Sequence, residues 1–132
     1  MNKFISAAIA TLALAAFPAL AQVVVVVNPA NGDAVSKDQV ANVYLGKSTA
    51  LTPVDQADGS AIRGEFYKKV ADKDASQAKA LWSKLVFTGK ATPPKEVGSS
   101  ADVKKAVAAN PKAIGYIEKS AVDATVKVVL TP

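Results

Sequence analysis

The chain has 132 residues, with 16 Lys and Arg against 11 Asp and Glu, which gives a formal net charge of +5. This length suits one domain with one core. Cysteine and histidine are both absent, which excludes a disulfide framework, thiolate nucleophiles, most zinc sites and the commonest general base. The carboxylates are scattered, so we expect no metal site and no cofactor. The basic residues are lysines except Arg63, without interleaved aromatic residues, and this disfavours nucleic acid as a partner.

The first 21 residues have the pattern of a secretory signal peptide. A basic start at residues 1–3 precedes an apolar, alanine-rich run at residues 4–20, and a small-x-small cleavage site ends at Ala21. A membrane anchor is the alternative, but the apolar run is short for a span and is closed by a cleavage site. We therefore expect cleavage after Ala21, which leaves residues 22–132 as a single domain without a membrane span.

The first half of that domain predicts a strand, a helix and a second strand. Residues 23–27 are consecutive valines, which is typical of a central strand of a parallel sheet, buried on both faces. Ser36 begins a capping box for a helix that ends at Gly46. Residues 50–55 predict a short strand, which Pro53 weakens toward an edge or irregular strand.

A polar turn at residues 56–60 leads into the second predicted helix. The four-residue apolar spacing from Ile62 to Val70 indicates one buried helix face, and Ser60 is the predicted N-cap. Gly64 inside this helix costs about 1 kcal/mol relative to alanine. We therefore expect another element to pack closely against it.

Two more helices follow this segment. Asp74 caps the third helix, which ends at Gly89, and residues 90–98 are predicted to form a loop. Ser99 or Ser100 caps the fourth helix. The third helix carries an apolar stripe, which places Trp82 in the core: Ala78, Leu81, Trp82, Leu85 and Val86.

The chain ends with two predicted strands. Residues 113–117 form the first, in which Tyr116 is assigned to the core, and residues 118–124 form a turn. Residues 125–130 form the last strand, with the side chains of Val126, Val128 and Leu130 on one face. Strands that alternate with helices predict an α/β sandwich with a mainly parallel sheet.

The turn before the second helix is the candidate ligand site. A helix start has backbone N–H groups without intrahelical partners and a partial positive charge. Gly59 permits close approach to the backbone, Ser60 adds a hydroxyl, and Arg63 in the first turn adds a cation. We therefore predict that a small anion binds at Gly59, Ser60, Ala61, Ile62 and Arg63.

Each of these residues also has a purely structural interpretation. Ser60 with Gly59 is then an ordinary helix cap after a tight turn. Arg63 is a surface cation paired with Glu65 or Asp58, and Asp58 is a turn former.

Three segments of the sequence resemble one protein family. Residues 36–47 resemble a helix that ends in a Phe/Leu-Gly-Lys turn, and residues 56–60, followed by Phe66, resemble a phosphate loop of the form Arg-x-Asp-Gly-Ser-Gly-Thr. Residues 110–117 resemble a Pro-Gly-Ala-Ile-Gly-Tyr-Val strand. With these segments in this order, the chain resembles one lobe of the phosphate-type substrate-binding proteins of ABC transporters, which have the type II periplasmic binding protein fold.

The loop departs from the family pattern at three positions. Gln56 stands where the family has arginine, and Ala61 and Ile62 stand where it has glycine and threonine. Asp58, Gly59 and Ser60 carry over directly, which leaves Arg63 as a replacement for the missing charge.

The resemblance implies an exported, periplasmic solute-binding module for phosphate or a related oxyanion. An ABC permease or another envelope protein is the implied partner. Family members close two lobes around the ligand, so a homodimer is one way to complete a single lobe. The alternative is an envelope interaction module that kept the fold and lost the anion site. We expect no enzyme, because no spacing marks Ser60 with either Lys68 or Lys69 as a serine–lysine dyad.

Overall fold

The computed structural model describes residues 22–32, 35–57 and 59–132. The predicted signal peptide and Asp58 lie outside the described residues. The elements in chain order are β1 (Val23–Val27), α1 (Lys37–Tyr44), β2 (Thr52–Gln56), α2 (Ala61–Ala71), α3 (Ala75–Phe87), β3 (Lys95–Val97), α4 (Ser100–Ala108), β4 (Ala113–Glu118), a 3₁₀ turn (Lys119–Ala121) and β5 (Lys127–Leu130). No helix in these ranges is long and apolar enough to cross a bilayer.

In the described part of the chain, the strands form one five-stranded sheet in the order β3-β2-β4-β1-β5. Strand β2 pairs in parallel with β3 and β4, while β1 pairs antiparallel with β4 and β5. Four strands therefore point the same way and β1 runs against them. This confirms the predicted α/β architecture with a mainly parallel sheet.

Helices cover both faces of the sheet. Side chains of Val23, Val25 and Val27 join the core under α1 and α2, and those of Val24 and Val26 join the core under α4. The predicted burial of β1 on both faces is confirmed. Its parallel direction was wrong, because a strand between two helical layers is buried on both faces whichever way it runs.

Strand β2 is not an edge strand, contrary to the weakening expected from Pro53. It lies between β3 and β4. The Thr52 N–H donates to Lys112 O of the segment before β4, and N–H groups alternate along a strand, so the nitrogen of Pro53 faces β3. Because β3 starts only opposite Val54, no ladder hydrogen bond is lost there.

The sequence prediction missed β3, which lies within the expected loop at residues 90–98. This strand has three residues, two of them charged, and none fully buried. Its apolar alternation is therefore too short to stand out from a loop.

Three packing expectations were wrong. A β-bulge between Val25 and Val26 shifts the register of β5, so Val126 joins the core under α4 while Leu130 packs on the opposite side. A Cβ built on Gly64 meets no atom within 4 Å, so no close packing explains that glycine. Val86 is 47% exposed rather than part of a continuous buried stripe.

Candidate functional site

The turn between β2 and α2 has the shape that its sequence predicted. Gly59 has a φ of +91°, in the left-handed region that favours glycine. The Ser60 N–H donates to Ala57 O at 3.1 Å, which closes the turn. Gly59 and Ala61 are exposed and Ser60 is half-buried, whereas the side chains of Ile62 and Arg63 are buried. The turn therefore exposes Gly59 and Ala61 to solvent and part of Ser60, but not the side chains of Ile62 and Arg63.

Helix α2 differs from the other described α-helices at its start. Ser36, Asp74 and Ser99 each accept a hydrogen bond from the third N–H of the helix that they cap. Ser60 occupies the predicted N-cap position of α2 but makes no side-chain cap. Its hydroxyl instead donates to Gln56 Oε1 at 2.9 Å. The third N–H of α2, that of Arg63, donates to Ser60 O at 3.2 Å instead, and the cap side chain accepts from none of the first-turn N–H groups.

Gln56 connects the neighbouring elements beneath this turn. Its side chain is 3% exposed, and Nε2 donates to Tyr116 O at 3.1 Å and to Ser100 Oγ at 3.3 Å. Since Ser100 begins α4, this amide joins β2, β4 and the starts of two helices. Where the resembled family has a cationic side chain, this chain has a buried neutral amide bonded to protein atoms.

Asp55 is the centre of a buried polar cluster that sequence reasoning missed. Its carboxylate is 2% exposed and accepts hydrogen bonds from Tyr67 Oη at 2.6 Å, from Tyr116 Oη and from the Gln56 N–H at 2.8 Å. A buried carboxylate needs such partners. A carboxylate inside a predicted strand was the available signal, but its phenol partners lie 12 and 61 positions away in the sequence.

Burial is the main cause that raises the pKa of the Tyr67 and Tyr116 phenols above the ordinary range, and the nearby Asp55 carboxylate raises both further. Burial likewise raises the pKa of Tyr44, whose hydroxyl donates to Val54 O at 2.8 Å. All three phenols remain protonated hydrogen-bond donors at neutral pH. Tyr116 is in the core as predicted.

Arg63 lies beneath the first turn of α2 and is only 4% exposed. Its Nη1 donates to Gln56 O at 3.0 Å, and its Nε lies 3.9 Å from Asp55 Oδ1. Nη1 is also 3.8 Å from Glu96 Oε2. The interpretation as a surface cation paired with Glu65 is wrong, because Arg63 is buried; Glu65 pairs with Lys69 at 3.8 Å.

Arg63 and Asp55 also line a cavity of about 460 Å³ between α3 and the edge of β3. Trp82 lies on the wall of this cavity, and its Nε1 donates to Tyr44 O at 2.7 Å. Trp82 is 7% exposed, which confirms its assignment to the core. The charge of Arg63 therefore lies between the α2 turn and this cavity.

The arrangement can hold an anion without covalent chemistry. A helix start with uncapped N–H groups, a nearby hydroxyl and a buried guanidinium all favour negative charge. In the described ranges, no group of three or more carboxylates, histidines or cysteines has metal-binding geometry.

The comparisons with known proteins identify similar folds. No protein-family model and no curated protein matches the sequence. The ABC-type phosphate transport receptor from Vibrio cholerae superposes with a TM-score of 0.64 and 21% identity, over 82% of this chain and 45% of that one. A protein from Clostridium perfringens, assigned as a phosphate ABC transporter substrate-binding protein and solved with bound phosphate, gives 0.64 and 23%, over 82% and 44%. PstS from Borrelia burgdorferi gives 0.61 and 12%, over 82% and 46%.

These similarities confirm, at the level of fold, the resemblance inferred from three sequence segments. The chain spans less than half the length of these solved structures. It therefore has the α/β fold of one part of the phosphate-transport binding proteins.

Proposed function

We propose that this protein is an exported solute-binding module that holds phosphate or a related small oxyanion at the start of α2. The observation that carries the proposal is the Ser60 hydroxyl, which leaves the first-turn N–H groups of α2 without a side-chain cap. The fold shared with a protein solved with bound phosphate supports it. These neighbours do not favour the alternative of an envelope interaction module without an anion site.

The residues of the site have different roles in this proposal. The N–H groups of Ala61 and Ile62 donate to the anion, and Gly59 lets it approach the backbone. The Ser60 hydroxyl rotates from Gln56 Oε1 toward the anion. The side chain of Ile62 stays in the core and anchors the helix start.

Arg63 acts from below the site in this proposal. Its charge adds to the positive end of α2, while its hydrogen bond to Gln56 O fixes the end of β2. Because Asp55 and Glu96 partly offset this charge, we expect weaker binding than an exposed arginine in the loop itself gives.

Proline at the first position of α2 tests the role of the backbone. Proline suits that position, since its fixed φ matches the helix and only one N–H group is removed. Ser60 has a φ of −70° and a ψ of 123°, which a following proline allows. Ala61→Pro should therefore weaken phosphate binding by roughly 10- to 100-fold, the loss of one charge-assisted hydrogen bond, with the fold intact.

Ala75→Pro is the matched control. Ala75 is the first residue of α3, and its N-cap Asp74 also has extended backbone and keeps its side-chain cap. Isothermal titration with phosphate and with sulfate should show normal binding for this variant. The proposed site would be contradicted if neither anion gave binding heat at millimolar concentration, or if both proline variants lost the same affinity.

The rest of the proposal concerns export and assembly. We propose that residues 1–21 are removed as a signal peptide, that residues 22–132 form a single periplasmic domain, and that a second copy or an envelope partner such as an ABC permease covers the anion. The intact mass of the exported protein tests cleavage after Ala21. Sedimentation with and without phosphate tests a homodimer, which should be favoured by the anion.

A further inference from the structure

The surface between α3 and β3 carries exposed apolar side chains beside a cavity. Phe87 is 91% exposed and Val86 is 47% exposed at the end of α3. Both line the cavity of about 460 Å³, together with Trp82, Pro93 and Pro94. Apolar residues grouped around a cavity mark an interaction site, whereas single scattered ones do not. We call this surface the α3–β3 groove.

A second cavity, of about 440 Å³, extends the groove along the sheet edge. It shares Trp82 and Pro93 with the first cavity and is also lined by Lys90 and Lys95. The two cavities therefore adjoin at Trp82 and Pro93, which line both. Trp82 is held in place by its hydrogen bond to Tyr44 O, so this shared wall is preorganised.

The main chain of β3 borders the groove and offers hydrogen bonds. Strand β3 is at the edge of the sheet. Val97 O accepts from the Ala57 N–H, so the polar backbone groups of Val97 face inward. Because these groups alternate along a strand, the N–H and C=O of Glu96 point away from β2. Such an edge can accept an added strand.

The charges around the groove select the kind of strand. The first cavity is lined by Lys79, the exposed carboxylate of Glu96 and the buried Asp55 and Arg63, whose opposite charges offset each other. The second cavity is lined by Lys90 and Lys95. A lysine on an edge strand disfavours pairing with a second lysine-rich copy of this chain. A segment that carries carboxylates complements the groove instead.

We propose that the α3–β3 groove docks an extended acidic segment of another protein, which adds a strand along β3. Alternate side chains of a strand point to the same side, so apolar side chains of that segment enter the two cavities that adjoin at Trp82. Carboxylates between them meet the lysines. The first cavity reaches Arg63 in the first turn of α2, but the docking contacts use α3 and β3, so the test does not depend on anion binding.

The probe is a pair of synthetic peptides of roughly seven residues, the length of a short added strand. One alternates valine or phenylalanine with glutamate, and the reference peptide has lysine in place of glutamate. Titrated into the isotope-labelled protein, the acidic peptide should shift the amide signals of residues 95–97 and the indole N–H signal of Trp82. The basic peptide should bind about tenfold more weakly or not at all.

Variants locate the contact. Phe87→Ser should abolish the shifts while the thermal midpoint stays unchanged, since the side chain is already in solvent. Lys95→Glu should weaken the acidic peptide roughly fivefold. Lys105→Glu, the same charge reversal on exposed α4 at the opposite face of the sheet, should leave the affinity unchanged.

Three results would overturn the proposal. The first is that peptides of both charges shift the same signals equally. The second is that no signal of residues 95–97 moves at millimolar peptide. The third is that Phe87 and Lys95 are needed for binding to vesicles of anionic lipid while the acidic peptide shifts no signal, which would assign the surface to a membrane.

Discussion

Replacing Asp55 by asparagine tests whether the buried cluster beneath the proposed anion site stabilises the fold. The carboxylate accepts hydrogen bonds from two phenols and one backbone N–H, and it lies 3.9 Å from Arg63. An asparagine side chain keeps one acceptor oxygen, but its NH₂ group turns donors toward at least one phenol. Arg63 also loses its buried counter-charge.

The expected loss is about 3–5 kcal/mol, because removal of one partner leaves buried polar and charged groups without compensation. Domains of this size are stabilised by roughly 5–15 kcal/mol, so Asp55→Asn should remove a large part of the total. Urea unfolding followed by tryptophan fluorescence measures the change, since Trp82 is the one tryptophan in the sequence.

Asp72→Asn is the matched control. Asp72 is exposed at the end of α2, with a φ of 56°, a conformation that asparagine adopts as readily as aspartate. This variant should change the free energy of unfolding by less than about 0.5 kcal/mol. If Asp55→Asn lost less than about 1 kcal/mol, the cluster would contribute little and the reasoning from its hydrogen bonds would be refuted.

Three further predictions concern tyrosine ionisation and two glycines. All three tyrosine pKa values are raised in the fold, so the free energy of unfolding should not depend on these groups below pH 10. Above pH 10 it should fall by up to about 1.4 kcal/mol per pH unit per tyrosine. Tyrosinate absorbance should then appear only together with unfolding. Gly64→Ala should raise the free energy of unfolding by about 1 kcal/mol, since the added Cβ meets no atom within 4 Å; a loss in urea unfolding would contradict this. Gly115→Ala should lower it by about 1–3 kcal/mol, because its Cβ would lie 2.5 Å from Val103 Cγ1; an unchanged urea midpoint would contradict that close approach.

The elements that the sequence predicted well are those with local signals. Each of these signals rests on residues a few positions apart: the capping boxes of α1 and α3, the glycine that ends α1 (Gly46) and the valine run of β1. The direction of β1 and the strand β3 were beyond such reasoning. Both depend on which strands become neighbours, and the residue pattern of a single strand does not specify its neighbour.

The candidate site shows the same division. Its turn, with Gly59 and Ser60 before α2, follows from residue types alone. The electrostatics of the site do not, because Asp55 acquires its phenol partners only when α2 and β4 pack on β2. Arg63 is only 4% exposed, as a core residue would be, although arginine side chains are mostly in solvent.

The burial of Arg63 changes how the proposed anion site can be tested. An exposed Arg63 would bind an anion directly, and substitution of Arg63 would then abolish anion binding. The buried Arg63 donates to Gln56 O and lies near Asp55 and Glu96. Substitution of Arg63 would therefore lower the stability of the fold as well as the affinity for the anion. The backbone of α2 is therefore the part of the site that can be altered alone, and Ala61→Pro separates anion binding from folding where an arginine substitution would not.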